Sequence, residues 1–461
     1  MTDLTGFPTA APGARHGSLM AADARTKRRN AAEVRFRIYG LVAVVISLLA
    51  LAMLLISIFG AGASAFRQTF LTMPVELTEA KLDKSGTRDL ETMKKVTTVG
   101  YAAVLTAALE KAIAAQGIST EGLTKKEIGG LISQEAAAQL RNHVLANPDL
   151  VGQTIDYEVL ANGRVDGYYK GRVSKASAAL DSNISPGQLR LADDLKAAGL
   201  IAQRFNTSFI TAPDASDQRP EAAGLGVAIL GSFYMMLVVL VLSLPIGVAA
   251  SIYLEEFAPK NRWTDLIEVN ISNLAAVPSI VFGILGLAVF INFAGLPQSA
   301  PIVGGLVLTL MTLPRIIIPA RAALKAVPPS IRDAALGVGA SKLQSVFHHV
   351  LPLAAPGILT GMIIGLAQAL GETAPLLLIG MVAFVRDYPD GLPGGLLDPA
   401  AALPVQVYNW TQRGDPGFVE RASGAIIVLL AFLLVMNAVA IILRRRFERR
   451  WYTRSHRTPE F

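Results

Sequence analysis

Cysteine is absent from the 461 residues. That excludes disulfides, thiolate-ligated zinc, cysteine-ligated iron–sulfur clusters and a thiol nucleophile. Histidine is nearly as scarce, occurring at His16, His143, His348, His349 and His456. No spaced histidine motif with a general-base carboxylate is present, so no metal site is expected. No Gly-x4-Gly-Lys-Ser/Thr run occurs either, and the chain has no evident nucleotide site of its own. Neither an enzymatic activity nor a cofactor is expected. Charge is also sparse, at 17% of residues, and the mean hydropathy of +0.46 is high for a soluble protein.

The charge that exists is concentrated beside apolar segments. Residues 1–37 carry seven basic residues against three acidic, a net of +4, and residues 444–461 carry seven arginines against two glutamates, a net of +5. This is how a positive-inside membrane protein places its excess charge. A nucleic-acid binder would instead interleave a basic stripe with aromatics on a folded domain, so no nucleic-acid partner is expected. The partner of these flanks is membrane lipid.

What is abundant is uncharged apolar sequence. Residues 39–60 (Tyr39 to Gly60) rise about 33 Å as a helix, enough to cross roughly 30 Å of hydrocarbon. The long preamble favours an uncleaved anchor over a cleaved signal peptide. A second block runs from Ala222 to Leu254. Residues 269–314 are too long for one helix, and Asn292, Gly295, Pro297, Gln298 and Pro301 mark a turn between a third and a fourth span. A fifth runs from about Pro356 to Phe384, interrupted only by Glu372, and a sixth from Ser423 to Leu443. Unpaired backbone is prohibitive in lipid, so these segments are helices.

The expected fold is an α-helical polytopic membrane protein with six transmembrane helices and an inserted α+β domain. Its parts are a basic tail (1–38), a first span (39–60), the insertion (61–221), a five-helix core (222–443) and a second basic tail (444–461). Six spans put both termini on one side, and the basic tails make that side cytoplasmic. The loop between spans four and five agrees: Arg321, Lys325, Arg332 and Lys342 face only Asp333. Residues 61–221 carry 18 basic and 19 acidic residues and fall on the opposite side. Helices are predicted around 96–115, 125–145 and 193–205. A hairpin is predicted over 156–173, turning at Asn162-Gly163.

The loop 326–352 carries the strongest signal. Ser330 and Asp333 suggest an N-terminal cap, and Ala334 and Ala335 favour helix. Gly337 and Gly339 interrupt it. A second short helix is predicted from Lys342 to Val350, stopped by Pro352. Short paired helices with an apolar face suit docking into a groove on a partner.

This loop resembles the signature loop of bacterial ABC importer permeases: Glu-Ala-Ala, three residues, Gly, nine residues, Ile, one residue, Leu-Pro. Asp333, Ala334, Ala335, Gly339, Leu351 and Pro352 match at the expected spacings, with Asp333 in place of Glu and His349 in place of Ile. Further segments resemble the permeases of phosphate-specific ABC importers: 244–256, 273–283, Leu313-Pro314, 371–376 and 403–410. The resemblance is close over 222–445, loose over 39–60, and silent on the insertion. It implies a permease subunit in the bacterial inner membrane, coupled through 326–352 to two copies of a PstB-like ATPase. It further implies a second, PstC-like permease and an external PstS-like phosphate-binding protein.

Candidate pathway or gating residues are Glu372, Thr373, Arg315, Ser279, Asn273 and Gln368. Glu372 is costly in lipid and must face the bundle interior or water. It pairs with a base such as Arg315, sits near the pathway as a gating residue, or takes up a proton. Arg315 either snorkels or attracts an oxyanion. Gln368 stands where the family commonly has Arg, and Ile318 and Arg321 replace its usual pair in span four, so Arg315 and Arg321 are candidates to compensate. Ser279 follows a helix-kinking Pro278, and it and Asn273 either line the path or satisfy themselves locally. The rival readings are a permease for another oxyanion such as sulfate or molybdate, a membrane sensor with an external domain, and a membrane-embedded enzyme.

Overall fold

The computed structural model describes residues 24–83, 86, 88–381 and 384–455. The outer parts of both basic tails, 1–23 and 456–461, lie outside the described residues, as do His16 and His456.

Helix α1 (Ala24–Gly62) contains the first expected span within one 39-residue rod, about 58 Å long. Its apolar side chains from Val34 to Phe59 are largely exposed, as a lipid-facing helix requires.

The insertion opens with β1 (Arg67–Glu76), the centre of a three-stranded antiparallel sheet. Leu71, Met73 and Val75 alternate inward while Pro74 and Glu76 are exposed, the period-two pattern of a half-buried strand. Helix α2 (Thr98–Ala115) packs on this face and buries Tyr101, Val104, Leu105, Ala108, Leu109, Ala112 and Ile113. A short helix, Lys125–Gly129, precedes α3 (Gln134–Ala146), so the single helix expected over 125–145 is two. Strand β2 (Thr154–Leu160) pairs with β1 from Phe70↔Leu160 to Glu76↔Thr154.

The predicted hairpin is not formed. After β2 the chain turns into α4 (Gly163–Tyr169), and the Asn162 side chain accepts from the Arg164 amide at 2.8 Å as its N-cap. Helix α5 (Pro186–Ala197) starts from a Ser185/Gln188 capping box, and the chain then reverses through Gly199 at φ +79°. The helix expected over 193–205 therefore ends early, and its second half is β3 (Ile201–Phe205). Strand β3 pairs with β1 only from Arg67↔Phe205 to Leu71↔Ile201. Pro74 lies beyond it, where β1 is itself an edge and a missing N–H costs no ladder bond.

Helix α6 (Gly226–Ile252) is the second span and ends in a π-helical turn, Tyr253–Phe257. The third span is not one straight rod. Helix α7 (Arg262–Ala276) breaks at Val277-Pro278 and resumes as α8 (Ser279–Gly286) with a 100° bend, α8 running on through a π-helical stretch, Leu287–Phe293. Pro278 lacks the N–H and clashes with the preceding turn, so the break falls there. Helix α9 (Pro301–Lys325) is the fourth span and the hub of the core. Gly247 of α6 approaches Ile316 so closely that a Cβ there would lie 2.8 Å from its Cγ2. Small residues at such crossings let spans pack without a hydrophobic drive.

Helix α10 (Pro329–Gly337) is followed by α11 (Lys342–Ser345), a π-helical turn at Val346–Val350, and α12 (Leu351–Gly371), the last three forming one continuous rod. Pro352 does not stop the second loop helix as expected; it falls in the first turn of α12, where the preceding π turn relaxes the clash. The fifth span ends at Gly371 rather than near Phe384. Glu372 leaves helical geometry at φ −74°, ψ 129°, and a separate short α13 (Ala374–Leu378) packs back on α8. Helix α14 (Leu403–Gln412) precedes α15 (Pro416–Ser455), the sixth span, which carries the start of the second basic tail as helix.

Among the described residues, six helices are long and apolar enough to cross a membrane, or seven if the bent α7–α8 pair counts as one span. Helix α2 is among them, but its apolar face is spent on the sheet of the α+β core. Setting it aside leaves five, or six with the bent pair counted as the third span.

Candidate functional site

Two clusters carry the residues singled out in the sequence. The first lies inside the membrane core. Arg315 of α9 and Glu372, just past α12, meet at 3.4 Å (Nη1 to Oε1), each side chain about a quarter exposed or less. Gly365 of α12 packs against this part of α9: a Cβ there would lie 3.4 Å from the Thr312 and Ile316 side chains and 3.9 Å from the Arg315 Cβ. Thr373 follows Glu372 in the break between α12 and α13. Among the described residues, no hydrogen bond joins Ser279, Asn273 or Gln368 to this pair. Asn273 and Gln368 are exposed on α7 and α12, and Ser279 opens α8 after the bend.

The second cluster binds loop 326–352 to the spans, and sequence reasoning missed its centre. Arg332 of α10 donates to Glu256 from Nη2 at 2.6 Å and from Nε at 3.1 and 3.2 Å. It also donates to the backbone carbonyls of Leu324 at 2.9 Å and Val327 at 2.7 Å. The planar fork thus satisfies a buried carboxylate and the C-terminal end of α9 together, a task for which Arg is suited and Lys is not. The hydrogen bonds that Arg332 donates to Glu256 push its pKa above its already high value. Beside it, Arg321 of α9 donates to Glu268 of α7 at 2.6 Å and to Glu255 at 3.4 Å. Four elements, the π turn after α6, α7, α9 and α10, are held at one point. The available signal was the doublet Glu255-Glu256 ending the second span and the arginine preceding Asp333. Arg321, expected as a possible compensating charge, serves this cluster and not Glu372.

Within the loop, α10 starts from Pro328 and not from a Ser330 cap. Asp333, Ala334 and Gly339 are exposed and Ala335 is buried. Gly339 takes φ +90°, a left-handed turn that reverses the chain between α10 and α11. Leu351 and Pro352 open α12. The loop leaves Leu336, Val338, Leu343 and Phe347 exposed, with Val338 at 86%. Val346 and Val350 pack inward on Ala320 and Leu324. The loop is therefore anchored by charge and by one apolar side while a second apolar side is free.

Residues 243–452 match the family described as binding-protein-dependent transport system inner membrane component, and residues 23–179 match a domain of unknown function, DUF3333. The chain is 32% identical over 230 residues to the probable ABC transporter permease protein YqgI of Bacillus subtilis (strain 168), covering 48% of this chain and 78% of that one. It is 31% identical over 224 residues to the phosphate transport system permease protein PstA 1 of Mycobacterium tuberculosis (strain CDC 1551 / Oshkosh), covering 48% and 71%. A chain of the MetNI methionine ABC transporter in an inward-facing conformation aligns with a TM-score of 0.37 at 16% identity, covering 49% of this chain and 94% of that one. The chain belongs to the binding-protein-dependent transport permease family: it is a non-catalytic membrane subunit of an ABC importer, whose ATPase resides in a partner subunit.

Proposed function

We propose that this chain is the permease subunit of an inorganic phosphate importer in the bacterial inner membrane. The observation that carries the substrate is the 31% identity to phosphate transport system permeases from Mycobacterium and Xylella, each matched over more than 70% of its length. In this reading both termini are cytoplasmic and the insertion lies outside, as the basic flanks and the six spans support. A PstC-like permease supplies the other half of the pathway, two PstB-like subunits hydrolyse ATP, and a PstS-like protein delivers phosphate.

The chemistry asked of this chain is conformational. Arg315 and Glu372 link α9 to the break after α12, so any motion that separates these elements frees a guanidinium for an oxyanion. A bare carboxylate beside phosphate is repulsive, which makes the paired state the closed one. Thr373, which follows Glu372, and Ser279, Asn273 and Gln368 are the other polar candidates for the path. The loop 326–352, with Asp333, Ala334, Ala335, Gly339, Leu351 and Pro352 setting its turns, docks its free apolar side on the ATPase. The Arg332–Glu256 and Arg321–Glu268 contacts then carry ATPase motion into α6, α7 and α9.

The test is uptake of labelled phosphate by cells lacking this chain and by cells with it restored, with unlabelled sulfate and molybdate as competitors. Restored uptake that ignores both competitors is the expected result. Unchanged phosphate uptake with membrane insertion and partner assembly verified would sink the phosphate assignment.

A further inference from the structure

A dense group of buried charges lies where the insertion meets the head of α15, away from both clusters above. Lys170, just after α4, sits 2.7 Å from Asp166 and 2.8 Å from Glu420, and all three side chains are 4% exposed or less. Arg172 approaches the other Glu420 oxygen at 2.7 Å, a close ion contact not aligned as a hydrogen bond. Asp166 also accepts from the Thr69 amide and hydroxyl of β1 at 3.0 and 2.9 Å. The next residue of α15, Arg421, donates to Gln68 of β1 at 2.6 Å and to the Glu221 carbonyl at 2.9 Å. One turn earlier, Asp415 meets Arg164 of α4 at 3.3 Å.

The charges come from two sources. Asp166, Lys170 and Arg172 belong to the insertion; Glu420 and Arg421 belong to the first turns of the sixth span. Charges removed from water this completely are tolerated only while paired, and parting them exposes each to an uncompensated low-dielectric site. A contact that opened and closed in every transport cycle would meet that penalty every time.

We propose that Lys170 and Glu420 are positioning residues for transport, making the insertion and the head of the sixth span one moving body. The insertion then travels with α15 as a rigid lever arm and is neither a passive spacer nor a freely hinged sensor.

The absence of native cysteine makes the test direct. Spin labels go on Val99→Cys in α2 and Val419→Cys in α15, both exposed positions, in the full importer assembled with cysteine-free partners. The label distance is read without nucleotide and with ATP trapped by vanadate. The expected result is the same narrow distribution in both states. A shift larger than the resting width would overturn the proposal, whatever the variants do. Glu420→Gln should broaden the distribution, and Glu420→Asp, which keeps the charge, should restore it. A Glu420→Gln distribution as narrow as the parent's would overturn the assignment to this pair.

With labelled phosphate as probe, Glu420→Gln should lower solute carried per ATP hydrolysed by about tenfold while hydrolysis continues. This last readout rests on the phosphate reading. A parent complex that hydrolyses ATP but moves no phosphate fails that reading and leaves the distance comparison standing.

Discussion

Glu221 is a carboxyl whose surroundings change its chemistry. It is 5% exposed, with one oxygen 2.5 Å from the Ser133 hydroxyl and the other without a hydrogen-bond partner. Burial pushes its pKa from 4.5 up to about 7, against the lowering influence of Ser133 and Arg421. A raised acid pKa means the folded chain holds a proton that the unfolded chain has already lost. Stability from this group is therefore present at low pH and declines as pH rises from about 4.5 through 7. Melting curves of the purified chain between pH 5 and pH 8 should show this decline, and Glu221→Gln should flatten it. An equal pH slope in the variant would contradict the assignment.

At the same scale, Arg315→Ala leaves Glu372 without its counter-charge and without a route to attract an oxyanion. On the proposed phosphate reading, uptake should fall by roughly tenfold, the effect of ~1.4 kcal/mol on a barrier, with unchanged protein in the membrane. Full uptake by that variant would reduce the pair to a packing detail. The Arg315–Glu372 contact was readable, because an uncharged segment with one acid invites a search for one base. Arg332 with Glu256 was not. Each looks like an ordinary flanking charge, and only the fold brings a span end against a loop helix.

Among the elements, the loop helices show where pattern reading works and where it stops. The spacing from Asp333 to Pro352 located the loop and its two-helix form. It did not reveal that α11 continues into α12 without a stop, since a proline marks a helix break in water-soluble context but sits readily after a widened turn. Leu343 on α11 is 58% exposed and belongs to the free apolar side. Replacing it with Asp puts a charge into the proposed ATPase groove. Recovery of the ATPase with the affinity-purified chain should drop by roughly 30-fold in affinity, the equivalent of ~2 kcal/mol at an interface hot spot. Undiminished recovery would move the docking face elsewhere.

The insertion shows the opposite case. Asn162-Gly163 is a strong hairpin signal, yet asparagine is equally an N-cap residue, and tertiary packing decided. A Cβ at Gly163 would lie 2.6 Å from the free Glu221 oxygen, so the glycine is needed for close approach. Two signals were present and passed over: the Ser185-Pro186-Gly187-Gln188 start of α5 and the Gly199 that ends it. Both are local rules, and both were outweighed by the stretch Leu200-Ile201-Ala202-Gln203-Arg204-Phe205, whose short mixed pattern fits helix and strand alike.

Over the whole molecule, composition was the most legible level. A chain poor in charge, with basic flanks and uncharged blocks, yields six expected spans, and the structure reaches that number when the α7–α8 pair, bent through 100°, is counted as the third. What composition could not convey is that the insertion is built into the permease. Its charges balance to −1 and read as an independent domain, whereas three of them close on the head of the sixth span.

The π turn at Val346–Val350 has a consequence for chain length. Such a turn carries about one residue more than an ordinary helical turn. Deleting a single residue there would let the rod close as plain α-helix with α11 keeping its bearing on α12, because the widened turn already absorbs the extra residue. Closing the turn as plain α-helix with every residue kept would instead rotate everything before it by about 100° relative to α12. The exposed Leu343 and the buried Val346 would then leave their stations together, so the phase between the loop and the fifth span is stored in the widened turn itself.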